Sequence, residues 1–310
     1  MNIYAQSAIT QPQPASDDDD ENLARQLEAT GNFKVLRRLI PRTPTPAPAG
    51  YTDKVGVILD FETTGLDLAK DEIIETACVK FRYSAADEIT GVSDVFQSYN
   101  EPSIPIPALV TDLTGITIEM VAGHRIEVAA LEAFVADASI IIAHNAGFDR
   151  KFAERLSPIF EHKHWCCTQA EIDWRKHGYG GAKLSYLLAD FGYFHNAHRA
   201  IDDCHALVEI LAHTLPATAR PAFAELIDRA RRTTVRIWAE RSPFELKDAL
   251  KARGYRWNDG TDGRTKSWFI DVAEDKRETE LSYLRKEIYQ REIGIECRAM
   301  TALDRFSNRA

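Results

Sequence analysis

The run Val55-Gly56-Val57-Ile58-Leu59 closes on Asp60-Phe61-Glu62-Thr63-Thr64-Gly65-Leu66. Charge placed at the end of such a run constrains the fold more than any other feature of this chain. The apolar stretch reads as a short buried strand. Strand side chains alternate with period two, so Asp60 and Glu62 share a face. Two carboxylates side by side repel each other and resist desolvation unless positive charge neutralises them. A divalent cation with oxygen ligands is the simplest neutraliser.

Two further segments extend the pattern. His144-Asn145-Ala146-Gly147-Phe148-Asp149 follows the apolar run Ile140 to Ala143, at the expected junction of a strand and a helix. His198-Arg199-Ala200-Ile201-Asp202-Asp203 opens a helical stretch with apolar residues at Ile201, Leu207, Val208 and Leu211. Taken singly, Asp149 reads equally as a helix cap and Asp203 as a first-turn acid favoured by the helix dipole. His144 and His195 read as structural. Asp60, Glu62, Asp149 and Asp203, with His198 five positions before the last, nevertheless form one ordered set. Together these segments resemble the three motifs of the DEDDh (DnaQ-like) 3′–5′ exonucleases, and the chain is similar to the proofreading subunit of bacterial DNA polymerase III. His195 competes with His198, and Asp202 with Asp203, but only His198 and Asp203 have the family's H-x4-D spacing.

The resemblance implies a ribonuclease H-like fold and two Mg²⁺ or Mn²⁺ ions. Asp60 would bridge both ions, Glu62 and Asp203 would hold the one on the nucleophile side, and Asp149 would serve the other. His198 would be the general base, a role suited to a group with an ordinary pKa near 6.5. By the same resemblance Thr63 and Thr64 lie beside the terminal nucleotide and its 3′-hydroxyl, Leu66 packs on its base, and Phe148 borders the penultimate nucleotide. Phe148 reads equally well as core packing. The implied activity is removal of nucleoside 5′-monophosphates from the single-stranded or frayed 3′ end of DNA, in proofreading or repair. An RNA-trimming enzyme of the same family is the alternative, and a nucleic-acid- or polymerase-binding scaffold with a vestigial site is a second. The intact acid set speaks against the scaffold.

The net charge of −9 argues against broad duplex binding, yet residues 231–310 hold 18 Lys and Arg against 14 Asp and Glu. No apolar run approaches the roughly 18 residues of a membrane span, and the N-terminus has no secretory pattern. Five cysteines without a C-x-x-C read as reduced thiols, and the expected location is cytoplasmic.

Three regions are expected. Residues 1–50 read as a disordered acidic and Pro-rich tail and linker, with a short helix at Asn22 to Thr30 and a strand or docking segment at Phe33 to Ile40. Residues 51–217 alternate as a mixed α/β sheet flanked by helices, with strands at Val55–Phe61, Ile73–Tyr83, Asp94–Tyr99, Ile140–Ala143 and His164–Cys167. Residues 218–310 read as a small α+β accessory domain of α-β-β-α order: a capping box at Ser242-Pro243-Phe244-Glu245, a hairpin joining Tyr255-Arg256-Trp257 to Ser267-Trp268-Phe269-Ile270, and a closing helix from Glu274 to Gln290. The aromatic and basic residues of that hairpin read either as a single-strand stacking platform or as a core with a basic rim. Through this region a polymerase or repair partner could dock.

Overall fold

A computed structural model describes residues 17–47, 53–260 and 263–309. Its organising element is strand β1 (Lys54–Thr63), whose central residues Val57, Ile58 and Leu59 are fully buried. Strands β2 (Ile73–Tyr83) and β3 (Ile89–Tyr99) follow as an antiparallel meander leading to helix α2 (Ala108–Thr114), while β4 (Ile140–Ala143) and β5 (Trp165–Cys167) add parallel to β1's other side. The resulting order is β3-β2-β1-β4-β5, the mixed sheet of a ribonuclease H-like fold.

Alternation along β1 assigns its residues to two cores. Val57, Leu59 and Phe61 pack beneath helices α3 (Val128–Val135) and α4 (Ala146–Leu156). Ile58 faces the other way, toward α5 (Leu184–Asp190), α6 (Ala200–Ala212) and α7 (Ala222–Arg231). Asp60 and Glu62 continue Ile58's face and therefore point toward α6. Gly56 is required by a close approach: a Cβ there would stand 2.4 Å from the Phe81 ring.

The N-terminal region departs from the expected disordered tail between residues 17 and 47; residues 1–16 and 48–52 lie outside the described residues. Helix α1 (Asp17–Ala29) takes in the acidic run. Arg37 explains why it is ordered, since its guanidinium pairs with both Glu21 and Glu28 at 3.1 and 2.7 Å. Arg37 and Arg38 then pair in parallel with Tyr193 and Phe194, just before the His198 segment. Arg42 adds an ion pair to Glu209 of α6 at 2.6 Å.

The C-terminal region is larger than the expected α-β-β-α unit. Its sheet has four strands, β6 (Thr234–Glu240), β7 (Arg256–Asn258), β8 (Ser267–Ala273) and β9 (Cys297–Met300), in the order β7-β8-β6-β9. Strand β6 escapes notice in the sequence because Arg236, Trp238 and Glu240 interrupt its apolar residues. Those three occupy one face, while Val235, Ile237 and Ala239 pack on the other against α9 (Arg277–Tyr283) with Leu281, Leu284 and Ile288. The expected capping box is not formed: the turn Phe244–Leu246 that leads into α8 (Lys247–Ala252) has no side-chain cap. Trp268 packs against this core, whereas Trp257 is 52% exposed.

Helix α7 packs into the core of the first sheet, Phe223 meeting Phe81 and Tyr83 edge-on at 5.4 and 4.9 Å. The end of the chain returns to the same body. Fully buried Arg150 of α4 donates to the carbonyls of Leu303 and Arg305, both at 2.7 Å, and pairs with Glu154 at 2.6 Å. Arg305 in turn pairs with Glu171 at 3.0 Å and donates to the Arg232 carbonyl at 2.9 Å. Replacing Arg150 with alanine is expected to cost about 3 kcal/mol, the scale for removing one partner of a buried charged pair, and to free residues 301–309 for proteolysis. Thermal unfolding with limited proteolysis checks both effects.

Candidate active site

Parallel strands β1 and β4 end at the same edge of the sheet. The loop after β1 and the N-terminus of α4 therefore meet there, the usual place for a site in a parallel arrangement. Asp203 lies in the first turn of α6, on the face toward which Asp60 and Glu62 point. One carboxylate oxygen from each of Asp60, Glu62 and Asp203 lies within 4.8 Å of the others, and all three side chains are half-buried. Asp149, only 2% exposed, arrives from α4, and its Oδ1 accepts the Phe61 backbone N–H at 3.3 Å. The structure thus brings the four acids to one strand end, three as a tight cluster and the fourth behind them.

The cluster repels itself. Burial, reinforced by Asp149, Asp203 and Glu62, holds the Asp60 carboxyl well above the usual carboxylate range. Burial and then the Asp203 charge push Glu62 up to about 8, and burial pushes Asp149 up to about 7. Among the described residues neither Asp60 nor Glu62 is hydrogen-bonded to a cationic side chain. A set of carboxylate oxygens lacking positive charge fits a hard cation such as Mg²⁺ or Mn²⁺.

A buried network fixes the elements that carry the acids. Glu75 of β2 sits directly opposite Glu62 and is fully buried. It accepts from the Ala200 backbone N–H and the Arg199 guanidinium, both at 3.1 Å, and from Gln97 at 2.7 Å. Arg199 also donates to the Tyr99 hydroxyl. Glu75 therefore ties the start of α6, and with it Asp203, to the strand beside β1. Its one sign in the sequence is an acid inside the apolar run Ile73-Ile74-Glu75-Thr76-Ala77, a buried charge in need of a partner.

The loop after β1 is equally constrained. Thr63 donates to the Gly65 carbonyl at 2.6 Å, and Thr64 donates to Asp71 at 3.0 Å. A Cβ on Gly65 would stand 2.5 Å from the Asp71 carboxylate, so a side chain there would push Asp71 off its bonds to Thr64 and the Asp67 backbone. The loop presents Leu66 at 84% exposure, and Phe148 is half-buried against Phe152, their centroids 4.8 Å apart.

The histidines divide. His198 is exposed in a left-handed backbone conformation, φ 64°, uncommon for a residue other than glycine. His195 is the one that reaches the cluster, its Nε2 standing 2.7 Å from Asp203 Oδ1. His144 bonds Thr168 at 2.8 Å, and burial holds its pKa below the ordinary imidazole range.

The family model of the RNase T-type exonucleases matches residues 57–211, half of the chain. The chain belongs to this exonuclease family. Among curated relatives, the PolC-type DNA polymerase III of Caldanaerobacter subterraneus subsp. tengcongensis is 32% identical over 170 residues, 51% of this chain and 11% of that protein. The enzyme of the same description from Thermotoga maritima is 36% identical over 128 residues, 41% of this chain and 8% of that protein. The chain thus spans only about a tenth of the length of these relatives. Solved structures similar to it include the zinc-bound E. coli ExoI–ssDNA complex (15% identity, 76% of this chain and 71% of that one, TM-score 0.48) and exonuclease X with 5′-overhanging duplex DNA (22%, 55% and 99%, TM-score 0.37). The family is one of DnaQ-like exonucleases, nucleases that hydrolyse nucleic acid. Among the described residues no helix is long and apolar enough to cross a membrane.

The raised carboxylates set the sign of a stability test. Glu62 keeps its proton up to about 8 in the folded chain but loses it near its ordinary 4.5 when unfolded. Folding is therefore favoured below that lower value, and the contribution of this group is lost progressively as pH rises toward 8. In EDTA, Glu62→Gln is expected to melt with the wild type at acid pH and above it at pH 8. Added Mn²⁺ should raise the melting temperature of the wild type more at pH 8 than at acid pH. Superimposable melting profiles for the two proteins across this range would contradict the electrostatic account.

Proposed function

We propose that this exonuclease removes nucleoside 5′-monophosphates from the 3′ end of single-stranded or frayed DNA. The catalytic domain expected at 51–217 takes in α7 (Ala222–Arg231) as well, since that helix packs in the core of the first sheet, and the residues after it form an accessory region. The observation that carries the proposal is the convergence of Asp60, Glu62 and Asp203 at a strand end with Asp149 behind them. The choice of DNA rests on the relatives described as DNA polymerase III. A role beside a polymerase or in repair is compatible with it.

Asp60, Glu62, Asp149 and Asp203 would hold two Mg²⁺ or Mn²⁺ ions in this reading, and a divalent cation bound there would acidify water and offset the charge of the phosphodiester. The protein's own groups do the rest. Leu66, exposed on a loop locked by Asp71, packs on the terminal nucleotide, Thr63 and Thr64, buried with their hydroxyls engaged in that loop, set its shape beside the 3′ end, and Phe148 borders the nucleotide before it. Such contacts grip an unpaired end by shape and stacking without reading its sequence. His198 takes the proton from the attacking water; its exposure supports this role, since the ring can swing toward a bound strand. His195 orients the Asp203 carboxylate from behind.

Digestion of 5′-labelled single-stranded DNA and matched RNA with Mg²⁺, with Mn²⁺ and with EDTA tests the reading. A metal-dependent ladder shortening from the 3′ end is expected, faster on DNA. Asp203→Asn should lower turnover by about 10²–10³, the scale for losing one electrostatic stabiliser of a transition state. Faster digestion of RNA would reassign the substrate, and no ladder under any metal would favour the scaffold reading.

The two histidines separate by the same assay. His198→Ala is expected to lower kcat by roughly 10²–10⁴, the range for a general base, with a smaller loss for His195→Ala. The reverse order would move the base to His195.

A further inference from the structure

The C-terminal sheet turns its second face toward the exonuclease fold. Because Val235, Ile237, Ala239, Ile270 and Val272 pack over α9, strand alternation sends Arg236, Trp238, Phe269 and Asp271 the opposite way. Register then places Arg256 beside Phe269, and Arg236 beside Asp271. Asp271 accepts from Arg236 and from Arg256, each at 2.7 Å, and both guanidiniums lie over the Phe269 ring, 4.6 and 4.7 Å from its centroid. Arg236 is 11% exposed and serves as the floor, whereas Arg256 is 61% exposed and has the half-exposed Trp257 as its neighbour. The face thus presents a guanidinium plane over an aromatic ring, while Trp257, turned toward the other side of its strand and meeting Trp268 edge-on at 5.5 Å, lines the groove from the edge of the sheet.

Opposite this face stand α4 and the loop after β1. Between the two walls runs a groove of about 1240 Å³. Leu66, on the loop after β1, and Phe148, next to Asp149 in α4, line it together with Lys151, Arg155, Arg256 and Trp257, so the groove reaches the two segments that carry the acids. Five cationic side chains line it against three carboxylates, in a chain whose net charge is −9. Arg150 and Arg305 tie the end of the chain to the exonuclease body, and Arg305 bonds the backbone immediately before β6, which fixes one wall relative to the other.

We propose that this groove carries the single strand of nucleic acid leading to the 3′ end held at the acidic cluster. Bases stack on Arg256 and Trp257 while phosphates run beside Lys151 and Arg155. Interleaved rings and guanidiniums suit unstacked bases, which a duplex keeps inside its helix, and positive charge alone would suffice for a duplex. The proposal rests on the exonuclease reading above and adds to it the path of the strand and the purpose of the C-terminal sheet.

The test compares kcat/KM of the full chain with Mn²⁺ on a 5′-labelled oligothymidylate of about 20 nucleotides and on the trinucleotide. Trp257→Ala and Arg256→Glu should each lower the long-to-short ratio about tenfold, through KM on the long substrate, and Arg256→Glu should flatten its salt dependence. Melting curves confirm that both variants fold, and the trinucleotide serves as the internal reference. Wild-type activity with an unchanged ratio in both variants would overturn the groove and leave this face to a protein partner. Equal losses on long and short substrates would overturn it as well, assigning the residues to the integrity of the fold. A wild type that digests neither substrate would overturn the exonuclease reading itself.

Discussion

Mutual repulsion among carboxylates is the constraint on which this structure turns. Asp60 and Glu62 end a buried strand, Asp203 faces them from α6, and Asp149 closes the set from α4. Such a cluster is unfavourable by itself, as the upward displacement of Asp60, Glu62 and Asp149 shows. It persists because the surrounding elements are over-determined by packing. Strand β1 sits in the middle of its sheet with helices on both faces, and Glu75 pins the start of α6 to the neighbouring strand. The fold supplies the energy that holds the acids together, and a divalent cation bound there would relieve the strain.

The rest of the chain extends this site outward. The N-terminal segment is stapled by Arg37 and Arg42 alongside the loop that bears His195 and His198. At the far end, buried arginines fasten the last residues to α4 and to the backbone entering the second sheet, one face of which lines a groove with α4 and the loop after β1. Ion pairs between exposed groups would be too weak to fix such a relation. Arg150 and Arg305 are buried and bond to backbone carbonyls, which makes the join stiff.

Much of the catalytic region was legible because its signals are local. Period-two alternation places Asp60 and Glu62 together, and runs such as Ile140 to Ala143 mark strands whose ends carry the motifs. The unread parts depend on partners distant in sequence. Nothing near Glu75 announces Arg199, 124 positions later, and nothing in the spacing around Asp203 reveals that His195 bonds it in this state. Strand β6 was hidden by the basic and aromatic residues of its groove face, and β9 by its shortness. The acidic run read as a repelling tail becomes helical through Arg37, a residue beyond any local window. Ser242 shows the converse: a cap pattern in sequence formed no cap in the fold.

The central claim is that these acids exist to hold divalent cations, and direct binding measures it without reference to catalysis. Titration of Mn²⁺ into the metal-free chain, followed by calorimetry at neutral pH, should show saturable binding with proton release, because raised carboxyls must ionise to bind. Both the binding and the proton release should be strongly diminished in Asp60→Asn. Absence of saturable binding in the wild type, or equal binding in the variant, would contradict the account.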